Sequence, residues 1–359
     1  MKIFFASIAL VPISALGVSC QHLPDSQVFP NLINRQPPPA YPYTNYPAPK
    51  DGVASFTFAP LDFTQSIRIT ALGHLAGGGH VEPTPHAYIY APTTSTVQNI
   101  YAMTNGTVIN LNQYNNAWKI TFRATNDFYY YLSPVVTSNP PALGSEVHAG
   151  DLLGTTPKGD TLDVGAFDAS VTLTGFVNPA RYSYDEQHCV TPWEYLVEPF
   201  KSQIYAKIYR APGATPDARI DQDVPGTLAG AWFQQSLPAD SHIVESPQGW
   251  PKTVAFALDE YDGATPRFSL GGWIFTLHPP GTLQNGGVWA VPSSAASWAS
   301  ITPSSGLVEM PLINMFTNIQ EGWLAVEMFG DSEIEIEIWA TSTETLPRPF
   351  DLGALYYFR

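Results

Sequence analysis

Three histidines lie close together on a glycine-rich segment. His74, His80 and His86 fall within thirteen residues, and three consecutive glycines, at positions 77–79, separate the first two. Neutral imidazole can bind a metal or transfer a proton near neutral pH, and glycine lets the backbone approach a ligand closely. We therefore interpret His80 and His86 as candidate acid–base groups, the alternative being that all three histidines are ordinary turn residues. No phosphate-loop pattern accompanies the glycines, so a nucleotide site is not predicted.

A second group of candidates lies on aromatic-rich segments. Between residues 88 and 131, ten aromatic side chains and Arg123 could line an apolar cavity whose few polar groups orient a ligand. Neighbouring residues of a strand point to opposite faces, so Tyr129, Tyr130 and Tyr131 cannot all face the same way, and at least one face is expected to present phenols to a cavity or to solvent. The alternative is that most of these rings simply form the core. The predicted catalytic set is His80, His86, Arg123, Tyr129 and Tyr131, and the predicted substrate-binding set is Tyr88, Trp118 and Phe122.

Two cysteines and one sequon indicate covalent features of an exported protein. Cys20 and Cys189 can form a disulfide in an oxidising compartment if signal cleavage leaves both in the chain. Cleavage directly before Cys20 would instead give a lipid-anchored protein. Cys189 follows a histidine and could be a nucleophile, but adjacent side chains rarely point together, which favours a disulfide or a buried thiol. Asn105 begins the glycosylation sequon Asn-Gly-Thr.

The elements that must position these residues are strands. From residue 53 onward, short runs of apolar and aromatic residues alternate with polar ones between Gly, Pro and Asn, which is typical of β structure. Phe200, Ile204 and Ile208 recur at helical spacing after a proline and predict a short helix. We predict an all-β protein with two sandwich-like or barrel-like domains, at 53–190 and 211–359, and a helical connector at 191–210.

The amino terminus and the charge balance restrict the function further. Residues 1–19 have the single charge, the short apolar run and the small residues of a cleaved signal peptide, and 20–52 form a proline-rich extended leader. No later apolar run reaches the length of a membrane span. The chain of 359 residues carries 31 acidic and 16 basic residues, a net charge of −15, which argues against nucleic-acid binding. We expect a secreted protein or one in the secretory lumen.

Part of the N-terminal half resembles a known peptidase fold. The segments Gly79-His80, Asn105-Gly106-Thr107-Val108, 128–132, 144–154 and 161–165 follow the order seen in the β domain of lysostaphin-like zinc peptidases. The family's metal-binding HxH is replaced by Thr161-Leu162-Asp163, and the histidine of its Tyr-x-His segment is replaced by Tyr131. The resemblance implies, as an alternative, a degenerate zinc peptidase or cell-wall-binding protein whose remaining zinc ligands would be His80, His86 and Asp163.

As a whole, the chain is similar in size, signal and paired β halves to the secreted fungal hetero-Diels–Alderases of tropolone–sesquiterpenoid biosynthesis. That resemblance implies a cofactor-free cycloaddition between a quinone methide, formed by loss of water, and an alkene of a terpene. We therefore expect an enzyme without metal or cofactor that binds hydrophobic small molecules. The alternatives are the degenerate peptidase and a carrier without catalytic activity.

Overall fold

The computed structural model describes residues 52, 54–63, 68–77, 79–215, 217–237, 249–272, 286–292, 297–339, 350 and 354–359. The predicted signal peptide and nearly all of the predicted leader, with Cys20, lie outside these residues. Most regular structure is β, with a few helices of at most six residues in the described part. The all-β prediction is confirmed. No helix in these ranges is long and apolar enough to cross a membrane.

The N-terminal half is built on one antiparallel sheet. Its order is β1-β2-β9-β6-β5-β4-β7, with β10 beside β9, and a separate pair joins β3 to β8. The strands are β1 (Arg68–Ile69), β2 (His86–Tyr90), β3 (Asn99–Tyr101), β4 (Gly106–Tyr114), β5 (Ala117–Arg123), β6 (Phe128–Val135), β7 (Glu146–Val147), β8 (Leu152–Thr155), β9 (Thr161–Asp168) and β10 (Cys189–Val190).

The two faces of this sheet differ in chemistry, as strand alternation requires. On one face Tyr130, Leu132 and Phe122 are fully buried in the core, and the Tyr130 ring stacks on Phe122 with ring centroids 4.9 Å apart. On the other face lie Tyr129 and Tyr131. The face of the sheet that carries Tyr129 and Tyr131, which we call the polar face, also carries the candidate chemistry. Tyr129 and Tyr131 are nevertheless buried, and they belong to the same apolar cluster as Tyr130, so neither face presents these phenols freely to solvent.

Short helices connect the two halves. Helix α1 (Tyr184–Gln187) begins at a capping box in which the Ser183 side chain accepts from the backbone N–H of Glu186, satisfying donors that a helix start leaves free. A 3₁₀ turn at Pro192–Tyr195 and helix α2 (Phe200–Tyr205) follow. Ile204 of α2 is fully buried, in agreement with the helical apolar spacing in the sequence. Ile208, the last residue of that spacing, lies beyond the end of the helix and forms a parallel bridge with Ile69.

The C-terminal half is a closed barrel of eight antiparallel strands. Its strands are β11 (Gly230–Gln234), β12 (Thr253–Leu258), β13 (Pro266–Leu270), β14 (Gly287–Ala290), β15 (Val308–Asn314), β16 (Gln320–Met328), β17 (Glu333–Trp339) and β18 (Leu355–Phe358). Ile334, Ile336 and Ile338 alternate into the apolar cluster of this half. Strand alternation alone would place the intervening glutamates in solvent, but Glu337 is fully buried and Glu335 is 9% exposed.

Candidate functional site

The polar face of the N-terminal sheet brings together residues from three strands. In register, His86 of β2 lies opposite Gly165 of β9, and Gly165 lies opposite Tyr131 of β6. Two residues further along β2 on the same face, Tyr88 lies opposite Asp163 of β9. Directly paired side chains on one face have Cβ atoms about 5 Å apart. Residues separated by 79 positions (86 and 165) and by 75 positions (88 and 163) in the sequence are therefore direct neighbours at this site.

Gly165 lets Tyr131 lie across the middle strand. A Cβ atom added at position 165 would overlap the Tyr131 ring. With no side chain at that position, the Tyr131 ring approaches His86 to a centroid distance of 6.1 Å. The ammonium of Lys119 lies 3.7 Å from the centroid of the same tyrosine ring, within the range of a cation–π interaction. Lys119 and Gly165 are site residues that the pattern of histidines and aromatics did not indicate.

The three histidines of the glycine-rich segment converge around Tyr88. The centroid distances are 5.3 Å between His74 and Tyr88, 5.3 Å between His80 and His86, and 6.1 Å between His80 and Tyr88. Reciprocal backbone hydrogen bonds of 2.9 Å between Ala76 and His80 close the glycine turn and fix His80 over the sheet. The predicted pair His80 and His86 is therefore adjacent in space, and the structure adds His74 to it.

His86 is a neutral imidazole in a buried position. Burial, followed by the nearby charges of His80, Lys119 and His74, lowers the pKa of His86 well below its usual value. Its Nε2 atom is 2.9 Å from the Tyr88 hydroxyl oxygen, so the two groups share a hydrogen bond. In the tautomer with hydrogen on Nδ1, the Tyr88 hydroxyl donates to Nε2. A neutral imidazole hydrogen-bonded to a phenol is unprotonated at neutral pH and can accept a proton within a reaction step, although its lowered pKa makes it a weak base.

Asp163, in contrast to His86, is protonated near neutral pH. Burial, and next the negative charge of Asp160, raise the pKa of Asp163 to about 8, although Lys119 and a hydrogen bond from Thr161 act against this. At neutral pH the Asp163 carboxyl group therefore mostly keeps its proton. A neutral base and a protonated carboxyl group lie on adjacent strands, the arrangement used for coupled acid–base chemistry.

The C-terminal half contacts this cluster through Glu260 and through Trp250, whose ring centroid lies 6.3 Å from that of His80. His74 Nδ1 lies 2.8 Å from Glu260 Oε1, and both side chains are largely buried. Burial alone would raise the pKa of Glu260, but the hydrogen bond and the charge of His74 hold it below its usual value. The Glu260 carboxylate, which follows β12, thus orients the His74 ring that packs on Tyr88. His74 and Glu260 are 186 residues apart in the sequence, so no local sequence pattern indicates that they pair.

A cleft between the two halves adjoins the histidine cluster. It has a volume of about 40 Å³ and is lined by His80, Glu82, Glu186, Trp250 and Thr253, among others. The carboxyl groups of Glu82 and Glu186 are hydrogen-bonded to each other, which requires that one of them hold a proton. Burial, and then the charge of Glu82, raise the pKa of Glu186 well above its usual value. This carboxyl pair was not predicted from the sequence.

The other predicted residues are less closely associated with the cluster. The Tyr129 hydroxyl donates to Asp185 Oδ1 at 2.5 Å, and the Arg123 guanidinium donates to backbone carbonyls of Thr125 and Asn126 at the β5–β6 turn. Trp118 is half-buried and packs against the core. Phe122 lies within the core on the opposite face of the sheet, so the structure does not bring it together with the histidines.

Asn105 of the sequon is exposed between β3 and β4. Its Oδ1 atom accepts from the backbone N–H of Ala149 at 2.9 Å. The alternative metal site, His80, His86 and Asp163, stays a prediction. In the described ranges no group of three His, Cys, Asp or Glu side chains is arranged to hold a metal ion.

The predicted disulfide between Cys20 and Cys189 is not found. Cys189 is a free, buried thiol, and its Sγ–H donates to the carbonyl oxygen of Pro85 at 3.2 Å. Cys20 lies outside the described residues. Burial, then the charges of Asp185 and Glu186, raise the pKa of the Cys189 thiol. Pairing with Phe167 across β9 and β10 places Cys189 within the sheet, where its side chain contributes to the core.

Cys189 should therefore resist alkylation in the native protein. We expect iodoacetamide to leave the peptide containing Cys189 unmodified until the chain is unfolded, and then to modify it completely without reductant, because a buried thiol of high pKa provides little thiolate. Peptide mass spectrometry measures this. A peptide that reacts only after both unfolding and reduction would show that Cys189 is in a disulfide after all.

Comparisons with known proteins identify no family for this chain. No protein-family model matches it, and no curated protein matches it. Two solved structures of Helicobacter pylori Csd3, from hexagonal and orthorhombic crystals, share 13% and 14% identity and give TM-scores of 0.28 and 0.27. The alignments cover 42% and 40% of this chain and 38% and 35% of the Csd3 chains, well under two thirds of their length. Similarity at this level carries no functional argument.

Proposed function

We propose that the polar face of the N-terminal sheet is the active site of a cofactor-independent enzyme that transfers protons to and from a small molecule. One observation carries the proposal: the neutral base formed by His86 and Tyr88 lies one strand away from Asp163, a carboxyl group that keeps its proton near neutral pH. Two titratable groups with pKa values moved apart can act as acid and base in the same turnover.

The expected reaction is dehydration followed by hetero-Diels–Alder addition. The His86–Tyr88 pair accepts the phenolic proton of a hydroxybenzylic alcohol, and Asp163 gives its proton to the departing hydroxyl group, so that water and a quinone methide form. The alkene then adds across the quinone methide, forming one C–C and one C–O bond without further proton transfer to or from the substrate. A proton passed from the His86–Tyr88 pair to Asp163 through solvent restores both groups for the next turnover. Tyr131 and His80 would hold the partners in register, which removes translational entropy from the addition.

Export of this enzyme remains part of the proposal. It rests on the N-terminal sequence pattern of residues 1–19 and on the exposed position of Asn105, which leaves the sequon open to glycosylation. The substrates implied are hydrophobic small molecules rather than nucleic acid, given the net charge of −15.

A product assay tests the proposed function. Purified protein is incubated with a hydroxybenzylic alcohol and a terpene alkene, and mass spectrometry follows loss of water and formation of the adduct. We expect faster adduct formation than in buffer, and no loss of rate after treatment with a chelator. An uncatalysed rate, together with stoichiometric zinc in the purified protein, would instead support the degenerate peptidase.

A further inference from the structure

The hairpin between β15 and β16 exposes three apolar side chains at its tip. Phe316 is 92% exposed, Ile319 is 62% exposed and Met315 is 38% exposed. An exposed apolar side chain by itself is common on protein surfaces, but three within five residues at the end of one hairpin form a local apolar surface. Nothing in the proposed chemistry uses this surface, which we call the apolar tip (Met315–Ile319).

The apolar tip is held in a defined conformation. The Asn314 side-chain oxygen accepts from the backbone N–H groups of Phe316 and Thr317, at 2.9 and 3.0 Å. The backbone of Asn314 exchanges hydrogen bonds with Ile319 and Asn318, each of 2.9 Å. An Asx turn of this kind fixes the path of the chain, so Phe316 is presented to solvent by ordered structure. The apolar surface of the tip is therefore in contact with water, and a binding partner that covered it would remove it from water.

The charge distribution around the apolar tip indicates which kind of partner it can bind. Residues 314–320 carry no charge, and the nearest carboxylate, Glu321, accepts hydrogen bonds from Trp289 Nε1 at 2.9 Å and Asn314 Nδ2 at 2.7 Å. From residue 268 to residue 347 the sequence contains no Lys or Arg. With no positive charge nearby, a carboxylate at Glu321 and a net charge of −15 on the chain, this surface is not attracted to anionic lipid and is repelled by it. An uncharged, protruding apolar surface fits an electrically neutral, fluid lipid interface.

We propose that the apolar tip inserts into the interface of a zwitterionic lipid bilayer and holds the protein reversibly at a membrane surface. Phe316 and Ile319 enter the boundary between headgroups and acyl chains, and Asn314 and Glu321 stay at headgroup level. Binding of this kind depends on buried apolar area and little on salt. It is independent of the reaction proposed for the N-terminal sheet.

Co-sedimentation with phosphatidylcholine vesicles tests this proposal. The wild-type protein is expected to bind, and Phe316→Ala is expected to lower its partition coefficient roughly 10- to 100-fold, the loss corresponding to burial of one large apolar side chain. Phe329→Ala is the matched control, since Phe329 is 52% exposed beyond the other end of β16; it should bind like wild type. Binding should weaken as phosphatidylserine replaces phosphatidylcholine and should change little with salt.

Three results would overturn the proposal. They are an absence of wild-type binding to phosphatidylcholine vesicles, an equal loss of binding in Phe316→Ala and Phe329→Ala, and a concentration-dependent self-association of the free protein that Phe316→Ala abolishes. Phe316→Trp provides a second measurement, because a tryptophan that enters the lipid interface shifts its emission to shorter wavelength. An unshifted Phe316→Trp emission with vesicles would likewise contradict insertion.

Discussion

His86→Ala is expected to lower the rate of the proposed dehydration about 10²- to 10⁴-fold, the usual cost of removing a positioned proton-transfer group. His86 is buried and bonded to Tyr88, so the variant also leaves a small cavity. His86→Gln, which keeps a hydrogen-bonding side chain of comparable reach, should recover stability without recovering rate. Single-turnover kinetics and thermal denaturation of both variants separate the two effects.

The pH dependence of the same reaction identifies the acid. The active form has a neutral His86 and a protonated Asp163, so the rate should be constant below the pKa of about 8 of Asp163 and fall as pH rises through it. On the acid side the rate should fall only below the usual histidine pKa, because burial lowers that of His86. Asp163→Asn should reduce the rate and remove the alkaline limb.

Asp160→Asn is the matched control for Asp163. Asp160 is exposed, and its negative charge raises the pKa of Asp163 without belonging to the cluster. The control should keep the rate within about twofold and move the alkaline limb slightly towards lower pH, since a lost like charge stabilises the carboxylate. An alkaline limb that persists in Asp163→Asn would show that another group titrates there.

Glu186→Gln is expected to remove a large pH dependence of stability. The pKa of Glu186 is raised well above its usual 4.5 by burial and then by Glu82, so the folded protein holds a proton that the unfolded chain releases. That stability is fully present below the unfolded pKa and is lost as pH rises through the folded pKa. Between the two values the free energy of unfolding should fall by about 1.4 kcal/mol per pH unit for this proton.

The side-chain amide that Glu186→Gln introduces cannot ionise, yet its oxygen can still accept from Ser183, whose N–H donates to Glu186 Oε2 at 2.7 Å in the wild type. The variant should match the wild type near pH 4 and exceed its stability at alkaline pH. Urea denaturation across this range measures both. Glu194→Gln is the control, because Glu194 is exposed and its pKa is lowered by hydrogen bonds from Lys201 and Tyr205. Parallel curves for wild type and Glu186→Gln would contradict a shared proton at the Glu82–Glu186 pair.

Local sequence was informative about the candidate site only where its residues are neighbours in the chain. His80, His86 and Tyr88 occur within nine positions, and alternation along β2 places His86 and Tyr88 on one face. Asp163 was identified through resemblance to a peptidase motif, as an alternative zinc ligand. Lys119, Glu260 and Glu186 carry no pattern of their own, and their importance arises from neighbours that are far away in sequence.

The sequence by itself determined the strands, the short helix at Phe200 and the opposite orientation of Tyr129 and Tyr130, because side-chain alternation and helical spacing are local properties of the chain. Only the tertiary structure decided which polar residues would meet. It buried Glu337, which alternation assigned to solvent, and left Cys189 as a free core thiol. It also gave Asp163 and Glu186 their raised pKa values. Burial and the charges of residues distant in sequence depend on how the strands and helices pack, so local sequence patterns do not predict these pKa values.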